Sequence, residues 1–242
     1  MRAGLALAGL AAALGSGATR AAEVARPIVV ELYTSQSCSS CPPADAFLAR
    51  LAQRPDVLAL SLPVTYWDML GWKDTLATDA NTARQKAYAS AMGRGGVYTP
   101  QMIVDGTDDI VGSRVKQVDA AIKAHEADDA AVPVALTLEP GEIHLVVGGG
   151  MKSHGDATVW LLRIRGEATV KIGGGENGGH TVTYRNVVRE VKAVGIWKGQ
   201  RVTLDLPRAA MGGSGFAPGD GFAVLVQDGT YGRIIGASRI VQ

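Results

Sequence analysis

The chain contains 242 residues, 47% of them hydrophobic, and its 24 Lys and Arg residues nearly balance 23 Asp and Glu residues. This length is typical of one or two domains and is sufficient to bury a core. A formal net charge of +1 gives no electrostatic reason to expect a nucleic-acid partner or a polybasic membrane-surface protein. An ordinary apolar fraction with little net charge also argues against disorder. We therefore expect a soluble, globular protein.

The first 22 residues have the pattern of an export signal. Arg2 provides a short positive start, residues 3–14 form an apolar run, and small residues then follow at the spacing of a signal-peptidase site. The apolar run is too short to cross a bilayer as a helix, which needs about 20 residues. We predict a signal peptide at residues 1–22, export, and no stable membrane insertion after cleavage. A buried N-terminal helix is the alternative.

Residues 23–128 alternate between strand and helix patterns, which predicts an α/β domain. Short apolar runs indicate buried strands, and apolar residues at helical spacing indicate helices. An Asp-Gly turn indicates a hairpin before the final helix. The predicted elements are strand 28–33, helix 43–52, strand 57–64, helix 79–92, a hairpin of strands 101–104 and 109–111, and a helix over 115–122.

The helical spacing disappears in the second half, residues 129–242. Strand-like segments follow one another there, separated by Pro-Gly, Gly-Gly and Asp-Gly turn signals. The eight predicted strands are residues 135–138, 143–147, 158–165, 168–172, 181–188, 201–206, 222–227 and 233–241. Short strands at this spacing are typical of a sandwich or barrel. We therefore predict a second domain that is mostly β and sandwich-like.

The two cysteines of the chain, Cys38 and Cys41, lie three positions apart, between a predicted strand and a predicted helix. A helix N-terminus stabilises a thiolate through its dipole and its free N–H groups, which lowers the pKa of a cysteine there. The second cysteine is then placed to attack the mixed disulfide that the first one forms. We interpret Cys38 as the nucleophile and Cys41 as the resolving cysteine of a redox-active pair.

Two other interpretations of this pair have less support. An inert disulfide staple would close a very small loop, and such a loop removes little entropy from the unfolded chain. Structural zinc needs four ligands, and the four His residues show no paired spacing. We therefore predict no metal site and no cofactor.

The order of the elements and motifs resembles the thioredoxin fold. The sequence Cys-Ser-Ser-Cys-Pro at residues 38–42 lies between strand and helix, and Tyr98, Thr99 and Pro100 come directly before the hairpin. In thioredoxins a cis-proline at that place faces the cysteine pair, so the resemblance implies catalytic roles for Pro100 and Thr99. An ordinary trans-proline at the start of an edge strand is the alternative.

The same resemblance implies a role for Glu31. Thioredoxins have a buried carboxylate on the first strand, six residues before the first cysteine, whereas Glu31 lies seven residues before Cys38. We predict that Glu31 is a proton-transfer group for Cys41, because a buried carboxyl has a raised pKa. A Glu31 that is only hydrogen-bonded or reaches the surface is the alternative.

An aromatic loop is predicted between the second strand and the next helix. It contains Tyr66, Trp67 and Trp72. Aromatic side chains suit contact with a peptide or a small ligand in a groove, so we predict that these three residues bind substrate, together with Tyr98. A packed corner of the core is the alternative.

Residues 173–179 read Gly-Gly-Gly-Glu-Asn-Gly-Gly and contain a formal G-x-G-x-x-G pattern. No predicted helix follows this segment, and no strand–helix–strand unit surrounds it. Dinucleotide binding is therefore rejected, and a flexible hairpin loop is predicted.

Five stretches carry a closer resemblance. They are ELYTSQSCSSCPP at 31–43, YWDMLGWKD at 66–74, RQ at 84–85 with Tyr88, VYTPQ at 97–101, and GEN at 175–177 with NVVR at 186–189. In these stretches the chain resembles DUF1223, a family of exported bacterial proteins of unknown function. The resemblance covers nearly the whole mature chain. It implies a thioredoxin-like first domain and a periplasmic or secreted location.

The leading hypothesis is an exported thiol–disulfide oxidoreductase that acts on protein or small-molecule thiols and disulfides. Ser39 and Ser40 bring no positive charge between the cysteines, so we expect a middling reduction potential. The first alternative is a non-enzymatic envelope-binding protein with a permanent Cys38–Cys41 disulfide. The second is a carrier of Cu(I) or another soft metal ion.

Overall fold

The computed structural model describes residues 26–126, 131–150, 155–212 and 216–242. The predicted signal peptide at residues 1–22 lies outside these ranges. No helix within them is both long enough and apolar enough to span a bilayer.

The described part of the chain is a mixed α/β structure in which strands predominate. Its elements are, in chain order, β1 (Ile28–Thr34), α1 (Pro42–Leu51), β2 (Val57–Pro63), α2 (Asp79–Ala91), β3 (Gln101–Val104), β4 (Asp108–Val111), α3 (Val115–His125), β5 (Val134–Glu139), β6 (Glu142–Val147), β7 (Ala157–Lys171), β8 (Thr181–Trp197), β9 (Val202–Pro207), β10 (Gly221–Asp228) and β11 (Ile234–Val241). The predicted order of elements in the first half is confirmed.

Local chemistry explains where the first two helices begin. Pro42 and Pro43 occupy the first turn of α1, where the missing N–H of proline costs no hydrogen bond. Thr78 caps α2, because its hydroxyl oxygen accepts from the N–H of Asn81 at 3.1 Å. Both starts therefore lie at or next to the predicted residues.

One large sheet runs through both halves of the chain. Its strand order is β11-β10-β7-β8-β2-β1-β3-β4, with β1 and β2 parallel. The two halves meet where β8 runs parallel to β2, with Val187 opposite Ser61. The long hairpin of β7 and β8 thereby extends the sheet that the first half begins. The predicted domain limits of 23–128 and 129–242 stay a prediction, since residues 127–130 lie outside the described ranges.

A smaller sheet, of order β5-β6-β9, covers the far end of the large one. Its inward side chains, such as Ile143 and Leu145, pack with Phe222 and Val224 of β10 in one hydrophobic cluster. The two sheets therefore share one buried hydrophobic cluster in the second half.

The prediction of two strands at 158–165 and 168–172 was wrong. The structure has one continuous strand there, the 15-residue β7. Gly166 lies inside that strand, where a Cβ atom would be 2.2 Å from the carbonyl oxygen of Gly219. This glycine permits a close approach of two backbones, and it does not form a turn.

β1 is an interior strand of the large sheet, paired with β2 and β3, and its side chains alternate between two buried faces. Leu32 packs with Phe47 of α1 on one face. Tyr33 packs with Tyr88 of α2 on the other. Glu31 has the same parity as Tyr33, so the alternation directs it toward the α2 face.

Candidate functional site

Cys38 and Cys41 form a disulfide, with their Cα atoms 5.4 Å apart. The pair lies in the cysteine loop, residues 35–41, which joins β1 to α1. Cys41 is the N-cap of α1, and its carbonyl oxygen accepts from the N–H groups of Ala44 and Asp45 at 2.9 and 3.1 Å. The two cysteines are 2% and 0% exposed. The predicted place of the pair, between a strand and the start of a helix, is confirmed.

Pro100 lies close to the first turn of α1. The Thr99–Pro100 peptide bond is cis, as the resemblance implied. A Cβ atom on Gly112 would be 3.1 Å from the Ala44 Cβ atom and 3.3 Å from the Pro100 Cβ atom. Pro100 and Ala44 of α1 therefore both lie next to Gly112, close to each other.

The aromatic loop, residues 65–78, contacts both Thr99 and the cysteine loop. Trp67 donates from Nε1 to the Thr99 hydroxyl at 2.7 Å. Trp72 donates from Nε1 to the side-chain oxygen of Gln36 at 2.8 Å, and its carbonyl oxygen accepts from the Ser37 hydroxyl at 3.2 Å. Trp67 therefore contacts Thr99 and Trp72 contacts the cysteine loop, and we call these two side chains the tryptophan wall.

The two predicted tyrosines have different surroundings. Tyr66 packs on Trp67, with ring centroids 5.9 Å apart, and both rings also contact the hydrophobic cluster beneath α2. The Tyr98 hydroxyl donates to Asp109 at 2.6 Å, which directs it to the hairpin of β3 and β4. Tyr66 therefore lies beside Trp67 of the tryptophan wall, whereas the Tyr98 hydroxyl is held by Asp109.

Glu31 faces away from α1. It is fully buried and forms an ion pair with Arg84 of α2, at 2.7 and 3.1 Å from the guanidinium nitrogens. It also accepts from the Tyr88 hydroxyl at 2.6 Å. The structure therefore places Glu31 in a hydrogen-bonded cluster on the opposite face of the sheet from the helix that Cys41 caps. The alternation of side chains along β1 is the physical reason.

Arg84 joins the first half of the chain to the second. It donates to the side-chain oxygen of Gln227 on β10 at 3.2 Å. Its guanidinium carbon also lies 5.1 to 5.6 Å from the ring centroids of Tyr88, Trp160 and Tyr231. Arg84 and Glu31 therefore support the fold beneath the site and do not line it.

Asp45 is a buried acid near the cysteines that sequence reasoning missed. It lies in the first turn of α1, four residues after Cys41, and accepts from the Thr34 hydroxyl at 2.8 Å. Burial raises the pKa of this carboxyl to about 7, although the Thr34 hydrogen bond acts in the opposite direction. Side chains four residues apart on a helix are neighbours. The sequence feature that could have identified Asp45 is its position four residues after Cys41.

The loop predicted to be a flexible hairpin connection packs on the cysteine loop. This glycine strap, residues 173–179, joins β7 to β8. Asn177 donates from its side-chain amide to the carbonyl oxygens of Gln36 at 3.0 Å and Cys38 at 2.8 Å. Glu176 accepts from the Ser39 N–H at 2.9 Å. Both residues belong to the GEN stretch.

Glycines allow this close packing. A Cβ atom on Gly173 would be 2.5 Å from the Trp72 ring, and one on Gly175 would be 2.7 Å from the Ser37 hydroxyl oxygen. Gly175 also has a positive φ of +69°, which favours glycine. The glycines of the strap therefore permit its close contacts with Trp72 of the aromatic loop and Ser37 of the cysteine loop, and the strap continues into β8.

In the described ranges, no group of three or more His, Cys, Asp and Glu side chains is arranged to hold a metal ion.

Two of the solved structures that are similar to this one cover most of the chain. Protein AGR_C_4864 from Agrobacterium tumefaciens has 37% sequence identity and a TM-score of 0.74, over 88% of this chain and 93% of that chain. HBP35 of Porphyromonas gingivalis has a TM-score of 0.62 over 89% of this chain and 74% of that chain. Its identity is only 13%, so this second likeness concerns the fold alone.

The sequence comparisons give a family without an assigned activity. The search of curated proteins returned no match. The model of the family described as "Protein of unknown function (DUF1223)" matches residues 29–227. This match includes the cysteine loop, the aromatic loop and the glycine strap. The chain belongs to the DUF1223 family.

Proposed function

We propose that the protein is an exported thiol–disulfide oxidoreductase with a thioredoxin-like first half. The observation that carries the proposal is the position of the Cys38–Cys41 disulfide between the end of β1 and the first turn of α1. A disulfide with a sequence separation of 3 restricts the unfolded chain little and so adds little stability. The start of a helix, in contrast, stabilises a thiolate when the pair is reduced. This position favours a reactive pair over an inert staple.

The proposed exchange has two steps. In the dithiol form, the Cys38 thiolate attacks a substrate disulfide, and one substrate sulfur leaves as a thiolate that takes up a proton. Cys41 then loses its proton and attacks the Cys38 sulfur, which closes the protein disulfide and releases the second substrate thiolate. Two electrons pass from the protein to the substrate. The reverse steps oxidise a substrate dithiol, and an external thiol or disulfide resets the pair.

Asp45 is the proposed proton acceptor for Cys41. It lies one helical turn from Cys41 on α1, and a pKa of about 7 keeps both protonation states populated at neutral pH. Its carboxylate accepts the Cys41 proton before the second step and returns it in the reverse direction. Glu31, which the thioredoxin resemblance suggested for this role, is held by Arg84 instead.

The proposed substrate surface is the tryptophan wall between Thr99 and the cysteine loop, together with Tyr66 and Tyr98. The neighbouring Met69 and Leu70 are 81% and 38% exposed, so the wall continues into an apolar edge. Such an edge fits an unfolded or extended segment of a protein that carries a disulfide. The proposed location is the periplasm or the outside of the cell, where such substrates occur.

The test is an equilibrium titration of the mature chain, residues 23–242, against glutathione buffers, with the thiolate followed by ultraviolet absorbance. We expect a reduction potential between about −120 and −270 mV, the range of working oxidoreductases. Cys41→Ser is expected to accumulate a mixed disulfide with glutathione, because the resolving thiol is missing. Cys38→Ser is the matched control and forms none. A potential below about −300 mV without exchange would contradict the proposal.

A second candidate function is a non-enzymatic binding protein with a permanent disulfide. The observation that favours it is the burial of both cysteines, which are 2% and 0% exposed beside the glycine strap. In that case the pair stays oxidised in every glutathione buffer, and Cys41→Ser forms no mixed disulfide. The same titration therefore separates the two functions.

A further inference from the structure

Glu176 brings a negative charge from the second half of the chain to the middle of the cysteine motif. Its carboxylate accepts from the N–H of Ser39, the residue directly after Cys38, at 2.9 Å. The hydrogen bonds from Ser39 hold the pKa of Glu176 below its ordinary value. The carboxyl group is therefore ionised at neutral pH, where thiol–disulfide exchange takes place.

The adjacent residue fixes this charge in position. Asn177 is 6% exposed and donates to the carbonyl oxygens of Gln36 and Cys38. A displacement of the glycine strap would take this donor away from both carbonyl oxygens, and the Cys38 oxygen would keep only the Cys41 N–H, so the displacement is costly. Glu176 is itself exposed, so its place depends on the buried contacts of Asn177.

A thiolate on Cys38 would compete with this carboxylate. Cysteine thiolates in such motifs are stabilised by backbone N–H donors and by positive potential at the helix start. The Ser39 N–H already donates to a carboxylate, and the N–H groups of Cys38 and Cys41 donate to the carbonyl oxygens of Ser35 and Cys38. A fixed negative charge nearby also disfavours a second one.

We propose that Glu176 is a positioning residue for the redox pair. Its carboxylate occupies the Ser39 N–H and places a negative charge near Cys38, which destabilises the Cys38 thiolate and thereby favours the disulfide form. The proposal rests on the proposed function and deepens it, because it assigns control of the reduction potential to the glycine strap. The reaction concerned converts the protein dithiol and oxidised glutathione into the protein disulfide and two molecules of reduced glutathione.

The test compares the wild-type mature chain with Glu176→Gln, which keeps a side-chain oxygen to accept from Ser39 but removes the charge. Both proteins are reduced with a phosphine, and the pKa of the more acidic thiol is measured by ultraviolet absorbance. We expect this pKa to be about half a unit lower in Glu176→Gln. At a pH one unit above the thiol pKa, the equilibrium constant toward the disulfide should fall about threefold, which corresponds to a potential about 14 mV higher.

The matched control is Glu142→Gln, which makes the same change in net charge at an exposed position on β6 of the smaller sheet. Glu142→Gln should leave the thiol pKa and the equilibrium constant toward the disulfide at their wild-type values. The difference between wild type and Glu176→Gln should also shrink at 1 M salt, where the screening length is about 3 Å. An unchanged thiol pKa in Glu176→Gln, or an equal shift in Glu142→Gln, overturns the proposal.

The two proposals can fail separately. If wild type does not exchange with glutathione, the oxidoreductase function fails, and the thiol pKa of the phosphine-reduced proteins still decides the role of Glu176. If exchange is normal and the two proteins have equal thiol pKa values and equal potentials, only the role of Glu176 fails.

Discussion

The side-chain amide of Asn177 donates to the carbonyl oxygen of Cys38 at 2.8 Å, across 139 residues of sequence. This contact joins the hairpin of the second half to the cysteine loop of the first. It makes the glycine strap part of the site, and it connects the accessibility of the disulfide to the docking of the strap.

The first prediction concerns Asn177→Ala. The buried carbonyl oxygen of Gln36 loses its side-chain donor and that of Cys38 keeps only the Cys41 N–H, so we expect the free energy of unfolding to fall by about 1–3 kcal/mol. We also expect the phosphine to reduce the disulfide several-fold faster, because the strap no longer covers the loop. Urea denaturation and the time course of thiol release measure the two effects.

A control for this variant is Asn186→Gly. Asn186 lies on β8, has a φ of +48° that glycine tolerates, and donates to the Ala59 carbonyl oxygen at 2.9 Å. It should lower stability without changing the rate of disulfide reduction. Equal reduction rates in wild type and Asn177→Ala would show that the strap does not limit access.

The second prediction uses a matched pair of glycines in the strap. Gly175 and Gly179 both have positive φ, at +69° and +88°, but only a Cβ atom on Gly175 would contact the cysteine loop, at 2.7 Å from the Ser37 hydroxyl oxygen. Both substitutions to Ala should cost about 1–2 kcal/mol of backbone strain. Only Gly175→Ala should displace the strap and speed reduction of the disulfide. Similar reduction rates in the two variants would contradict the packed position of Gly175.

The third prediction is a pH dependence of stability that comes from Asp45. Its pKa in the folded protein is raised from 3.8 to about 7 by burial. The folded state therefore binds more protons than the unfolded state between these values, and stability falls as the pH rises through this window. At 1.36 kcal/mol per pH unit, the loss from this one group is on the order of 4 kcal/mol.

Asp45→Asn should remove that part of the pH dependence. Asparagine stays neutral and can still accept from the Thr34 hydroxyl, so the variant should be more stable than wild type at pH 8 and similar at pH 4. Chemical denaturation at several pH values measures this. If Asp45 is also the proton acceptor, Asp45→Asn should slow release of the mixed disulfide at pH 8 by ten- to a hundredfold. A parallel pH dependence in both proteins would exclude Asp45 as its source.

The fourth prediction separates Glu31 from the cysteine chemistry. Glu31→Gln leaves the buried Arg84 without its charged partner, and the loss of one member of such a pair costs about 3–5 kcal/mol. The thiol pKa values and the reduction potential should stay at their wild-type values, because Glu31 lies on the α2 face of the sheet. Denaturation and glutathione titration of the folded variant give both readouts. A shifted thiol pKa would restore the proton-transfer role for Glu31.

Sequence periodicity determined the order of elements in the first half and the place of the cysteine pair. Both depend on local chemistry: β1 and β2 are short apolar runs, and α1 begins at two prolines. The Cys-x-x-Cys spacing was sufficient to predict a candidate pair at a helix start. The local pattern predicts two strands where the structure has the single strand β7, because the approach of Gly219 to Gly166 inside that strand is invisible in a local pattern.

The tertiary structure alone decided which acid lies near the cysteines and what covers them. Side chains alternate along β1, but the sequence does not show which set faces α1. Both faces of the strand are buried, so hydrophobicity could not show which face receives Glu31. Burial of Asp45 likewise depends on packing around α1, and its sequence position is that of any first-turn acid. The glycine strap reaches the cysteine loop because β8 joins the sheet beside β2. Strand pairing over such a distance follows from the packing of the whole sheet, which no local spacing of residues specifies.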